Sequence, residues 1–129
     1  MIVVDASVMV TALADDGADG ALARQRTVGE QLLAPHLIDI EVVSALRRLV
    51  SAGERTEARA LQAVNDLQNL RMQRVSHQRM LSRCWQLRSN MTAYDAAYVA
   101  LAERTGLALV TADAKIANAP GIACTVELL

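Results

Sequence analysis

Short β-branched runs separated by long helical stretches constrain this chain more than any other feature. The runs are Ile2-Val3-Val4, Leu32-Leu33, Met72 to Val75, Leu107 to Val110 and Ile122 to Val126. Strands so far apart cannot join through hairpins, and parallel neighbours need helical crossovers. The spacing predicts helices near 6–14, 18–29, 36–52, 55–70, 77–89, 93–105 and 114–118. The fold class is therefore α/β, a mostly parallel sheet covered by helices on both faces. Gly53 between the third and fourth helices reads as a helix stop, which predicts an αα-hairpin standing as an arm on the sheet. The glycines at 17 and 20 predict no more than a surface turn.

The length of 129 residues is that of a single domain, spanning 1–129. With 53% hydrophobic and 21% charged residues, a packed core is affordable and disorder is excluded. Aromatics are Trp85, Tyr94 and Tyr98 alone, so the core must be aliphatic, and a surface that stacks successive bases on rings is disfavoured. Net charge is −1, which excludes a global basic field. Cys84 and Cys124 lie outside any CxxC or His/Cys cluster, which argues against a disulfide scaffold or zinc site and favours a reducing cytoplasm. Asp5 interrupts the apolar N-terminus, and no uncharged stretch approaches a membrane span; neither export signal nor anchor is expected.

Four acids fall at telling places in this alternation. Asp5 ends the first strand in Val3-Val4-Asp5-Ala6-Ser7, and Asp113 follows another in Leu109-Val110-Thr111-Ala112-Asp113. Glu41 lies in the opening turns of the helix after Pro35, and Asp95 in the first turn after Thr92. In an open parallel sheet, strand C-termini and the helix starts that follow them share the edge where ligands bind.

Each acid alone has a plain structural role. Asp5 and Asp113 suit helix N-caps, and Thr92-x-x-Asp95 fits a capping box. On a helical wheel Ile38, Val42, Ala45, Leu46, Leu49 and Val50 form the apolar arc, with Glu41 on its border beside Arg48. Asp39 falls inside that arc, where the positive end of the helix dipole would favour it.

Together they are harder to explain as structure. Two carboxylates 4 Å apart repel by about 4 kcal/mol at an effective dielectric near 20, and a hard divalent cation such as Mg²⁺ or Mn²⁺ resolves the conflict through oxygen ligands. With these acids neutralised the rest of the chain is net positive, which suits a polyanionic substrate.

The ordered motifs around Asp5 and Ser7, Pro35 to Leu46 with Glu41, Thr92 to Ala102 with Tyr94, Asp95 and Tyr98, and Leu109 to Asp113 resemble the PIN domain, and more narrowly the VapC toxins of bacterial toxin–antitoxin pairs. The resemblance spans almost the whole chain. It implies a metal-dependent endoribonuclease in which Asp5, Asp95 and Asp113 hold Mg²⁺ or Mn²⁺, Glu41 completes an acidic quartet, and Thr111 or Ser7 supports the attacking water. It also implies products with a 5′-phosphate and a 3′-hydroxyl, a homodimer paired through N-terminal and C-terminal helices, and a VapB-type antitoxin. The antitoxin segment would lie beside the 36–52/55–70 hairpin and push an Arg or Lys toward the acids. Many members carry Asn or Asp before the last acid, where this chain has Ala112, which leaves the number of metals open.

Two other classes fit less well. A phospho-acceptor receiver needs an acid pair at the end of its first strand, and a haloacid-dehalogenase-like phosphatase needs a second Asp where Ser7 stands. A non-catalytic PIN binding module has no need of all four acids. The glycines never fall in a GxGxxG or P-loop pattern. His36 and His77 stand alone and suit surface or capping roles, while Met72, Met80 and Met91 suit core filling. Arg47 and Arg48, beyond Glu41 on its helix, are the candidates for RNA contact. Replacing Asp5, Asp95 or Asp113 by Asn is expected to abolish cleavage and weaken Mn²⁺ binding while leaving the metal-free fold as stable or more stable, since carboxylate repulsion is relieved.

Overall fold

The computed structural model describes residues 1–129. Strand β1 (Ile2–Val4) leads to α1 (Ala6–Ala14) and α2 (Ala18–Thr27), then β2 (Leu32–Pro35), the helix pair α3 (Ile38–Ser51) and α4 (Glu57–Asn69), and β3 (Met72–Val75). A single 3-10 turn (Gln78–Met80) runs into α5 (Leu81–Gln86), followed by α6 (Ala93–Thr105), β4 (Leu109–Thr111), α7 (Ala114–Ala117) and β5 (Val126–Leu128). The strands form one sheet in the order β3-β2-β1-β4-β5, and every pairing is parallel. The winding direction reverses at β1, so right-handed crossovers put α1 to α4 on one face and α5 to α7 on the other.

The apolar runs become strands because both sheet faces are covered. Val3, Val4, Leu109 and Val110 are fully buried, each contributing about 1.5–3 kcal/mol through removal from water. Val3 sits between Leu33 of β2 and Leu109 of β4. Helix α6 packs over these central strands with an unbroken buried run from Ala96 to Ala102. Small alanines let it approach closely, and Tyr98 is the one aromatic in an otherwise aliphatic core. Its C-terminus is set by Gly106 in the left-handed region, φ 70°.

Three expectations need correction. The last strand is Val126–Leu128 rather than 122–126. The carboxylate of Glu103 takes the Ala123 amide at 2.8 Å, which fixes that segment as a loop before pairing with β4 begins. The α3/α4 hairpin is no free arm, because it packs on α1. Arg59 donates to the Leu13 carbonyl and to Asp16, and Arg55 to the Ala14 carbonyl. Gly20 lies within α2 rather than in a turn: a Cβ there would stand 1.8 Å from the Asp15 carbonyl oxygen. The predicted stop at Gly53 holds, with φ 72°. The Gly53 and Glu54 amides bond back to Val50 and Leu49, closing a Schellman motif. No helix is long and apolar enough to cross a membrane.

Candidate active site

The reversal at β1 and β4 opens a crevice beyond their C-terminal ends, the place where parallel sheets bind ligands. Asp5 stands at its floor, 3% exposed. One carboxylate oxygen caps α1 by accepting the Val8 amide at 3.0 Å and also accepts the Ser7 hydroxyl at 2.6 Å. The other oxygen accepts the Thr111 hydroxyl from β4. Ser7 in turn accepts the Ala112 amide at 3.0 Å, and Thr111 accepts that of Asp113 at 2.9 Å. The two hydroxyls thus hold Asp5 and tie the end of β1 to the loop after β4. Their protons are directed at Asp5. Burial pushes the Asp5 carboxyl up from its ordinary range, and the bonds from Ser7, Thr111 and Val8 pull it back.

The opposite wall comes from α3 and α6. Glu41, half-buried, accepts the Tyr98 hydroxyl at 2.9 Å. Burial raises its carboxyl, the Tyr98 bond opposes this, and the charges of Asp95 and Asp5 add to the rise. The Tyr98 hydroxyl itself is pushed far above its ordinary value by burial and by Glu41, so it stays a donor. Asp95 is raised by burial first, with Asp113 and Asp5 contributing. The Thr92 hydroxyl accepts the Asp95 amide at 3.2 Å. The Thr92 hydroxyl also lowers the Asp95 carboxyl against burial, so Thr92 is the one side chain that bonds it, and no arginine or lysine pairs with it. Asp113 does cap α7, accepting the Lys115 amide at 2.9 Å.

None of these four acids belongs to a salt bridge; the ion pairs of the molecule lie elsewhere. The donor set is all oxygen, negative and short of a counter-charge, which fits a hard cation. No three acidic, His or Cys side chains form a ready-made metal cage.

Beside the acids runs a groove of about 610 Å³, lined by Ala6, Ser7, Val10, Ile40, Glu41, Ser44, Ala45, Arg48, Thr92, Tyr94 and Asp95. The sequence therefore located Asp5, Ser7, Glu41, Asp95, Thr111 and Asp113 on one edge, as their placement at strand ends and helix starts implied. Of the two arginines singled out, Arg48 lines the groove and Arg47 does not; two turns from Glu41, Arg48 shares its face, whereas Arg47 points elsewhere. Asp39 lies in the apolar arc because it pairs bidentately with Arg74 of β3, at 2.9 Å for the shortest contact. His36 and His77 are exposed. Tyr98 was missed as a site residue because it reads as core. Its position three residues after Asp95, on the same helical face, was the available signal.

Residues 2–122 match the profile of the PIN domain. Ribonuclease VapC1 of Mycobacterium tuberculosis is 43% identical over 128 residues, covering 98% of this chain and 96% of that protein. Ribonuclease VapC9 of the same organism is 40% identical over 129 residues, covering 100% and 98%. Among solved structures, M. tuberculosis VapC20, described as a sarcin-ricin loop cleaving toxin, superposes with a TM-score of 0.70 at 16% identity, covering 95% of this chain and 97% of that one. VapBC2 from Rickettsia felis, bound to a DNA fragment from its promoter, gives 0.67 at 13% identity, covering 99% and 98%.

Proposed function

The chain belongs to the PIN domain family, among its VapC ribonucleases, and from that premise we propose that its acidic edge cuts RNA with Mg²⁺ or Mn²⁺ as cofactor. It is a VapC-type RNA-cleaving toxin. The observation behind the metal is the gathering of Asp5, Glu41, Asp95 and Asp113 at one strand edge without an ion pair among them. Asp5, Asp95 and Asp113 would hold the cation and Glu41 complete the quartet. When bound, the ion lowers the pKa of a water and offsets the charge building on the phosphate.

The chain's own groups prepare that chemistry. Ser7 and Thr111 fix the orientation of Asp5. Tyr98 fixes Glu41, and burial keeps Glu41 more basic than a free carboxylate, a property that suits a proton acceptor. Arg48 is placed to meet the phosphate backbone of the strand. The test is cleavage of a labelled RNA with Mn²⁺, with chelator, and with Asp95→Asn or Asp113→Asn. Cleavage requires the metal and both acids; full activity of both variants, or in chelator, refutes the mechanism. The receiver and phosphatase alternatives end with the family assignment.

Partners follow the same reading. Ile40 and Val43 stand exposed on α3 beside α4, an apolar strip suited to an extended VapB-type antitoxin segment whose Arg or Lys reaches the acids. Co-purification of the product of an adjacent upstream reading frame, with loss of cleavage, tests this. A homodimer is the state the resemblance implies, and Leu81 and Trp85, one turn apart on α5, stand exposed as an apolar pair suited to it. The C-terminal α7 is too short for a pairing role and buries its Ile116. A monomer in light scattering at tens of micromolar would overturn it. Both cysteines are unpaired, which suits the reducing cytoplasm.

A further inference from the structure

The positive charge expected of the chain outside its four acids is not concentrated on the lining of this groove. Arg48 is the only cation on its lining, against Glu41 and Asp95, while Asp5 and Asp113 add to the negative field there. The molecule as a whole carries −1. A cation at the acids neutralises part of this field without making it attractive along a strand. Affinity for RNA therefore needs a contribution that is not ionic.

The lining supplies one. Tyr94 is 63% exposed, in the first turn of α6 directly before Asp95, and Ile40 on α3 is 73% exposed. The other aromatics are otherwise engaged. Tyr98 is buried on Glu41, and the Trp85 ring has the Arg88 guanidinium over it at 4.5 Å. The Tyr94 hydroxyl makes no hydrogen bond within the chain, and its ring packs in no core cluster. An unengaged ring lining the same groove as Asp95 and Glu41 is matched to a flat apolar group attached close to the phosphate being cut. In RNA that group is the nucleobase one sugar away.

We propose that Tyr94 is the stacking platform for the base adjoining the scissile phosphate, with Ile40 as the apolar contact from α3. This rests on the ribonuclease reading. A base inside a duplex already has both faces covered, so the platform selects a nucleotide that is unpaired or flipped out.

The experiment compares wild type, Tyr94→Phe and Tyr94→Ala on a short single-stranded RNA with Mn²⁺. The same RNA with an abasic nucleotide beside the cut bond provides the second axis. Tyr94→Ala raises KM about ten-fold with a smaller change in kcat, and Tyr94→Phe stays within about two-fold. The abasic RNA costs wild type a similar factor and costs Tyr94→Ala nothing further. An Ala variant equal to wild type, or an abasic penalty that persists in it, overturns the platform. So does an Ala variant that weakens capture of a protein partner alone. Binding of RNA carrying 2-aminopurine at that position, measured with Asp113→Asn as the common background, reads stacking without cleavage. Quenching that depends on Tyr94 supports the platform, and equal fluorescence overturns it. Failure of wild type to cut any RNA refutes the ribonuclease reading instead.

Discussion

Asp5 answers three donors with two oxygens: the Val8 amide and the Ser7 and Thr111 hydroxyls. Asn offers a single acceptor oxygen, so Asp5→Asn strands a hydroxyl proton in a place where Thr111 has no access to water. Asp95 is only half-buried, and Thr92 is the one side chain that bonds its carboxyl, so its debt is smaller. In chelator, Asp5→Asn is therefore expected to melt below Asp95→Asn by about 1–3 kcal/mol, a difference that the sequence, reading both as acids at helix starts, did not contain. Tyr98→Phe keeps the ring in the core and removes the donor to Glu41. That bond opposes the upward push of burial on Glu41, so the variant's acidic limb in a pH–rate profile shifts to higher pH while its melting temperature moves little. The four acids were legible because their chemistry and their places in the strand–helix alternation agree. Tyr98 was not, because a tyrosine amid Ala96, Ala97 and Val99 looks like packing until the partner from α3 is seen.

Among elements, the strand–helix order was legible nearly to the residue, since both-face burial leaves apolar runs no other use. The segment 122–125 was not, because its apolar letters satisfy strand periodicity while its amide is taken by a side chain twenty positions back. Glu103 is held below its ordinary value of 4.5 by the bonds from Arg83, with the Ala123 amide helping against a smaller opposing effect of burial. A carboxylate with a lowered folded pKa adds stability above its unfolded value, and loses it as pH falls through the folded one. Glu103→Gln is expected to cost about 1.5 kcal/mol at pH 7, and the gap from the parent in melting experiments closes toward pH 3. Glycine positions divide equally clearly. Gly20→Ala drives a Cβ into the Asp15 backbone and costs about 3 kcal/mol. Gly53→Ala meets open space and pays only for its positive φ, about 1 kcal/mol. Chemical denaturation of the two variants separates them.

At the scale of the molecule, an uncompensated acidic edge makes stability a reporter of the cation. Mn²⁺ at a hundred times its Kd should add about 2.7 kcal/mol to the wild type, and Asp113→Asn should remove most of that gain; no shift in melting temperature would remove the metal from the mechanism. Weak ionic attraction in the groove predicts that RNA binding falls only gently with salt, unlike that of a basic nucleic-acid binder. The order of the sheet has a consequence for the cell that makes the protein. The paired strands β1 and β4 come from opposite ends of the chain, residues 2–4 and 109–111, and synthesis delivers the first long before the second. While the chain is still emerging from a ribosome, Asp5 has no Thr111 to hold it and no Asp113 beside it. If the proposed site is right, copies that end before residue 111 are expected to leave RNA uncut, which a cleavage assay on a chain truncated before Thr111 checks.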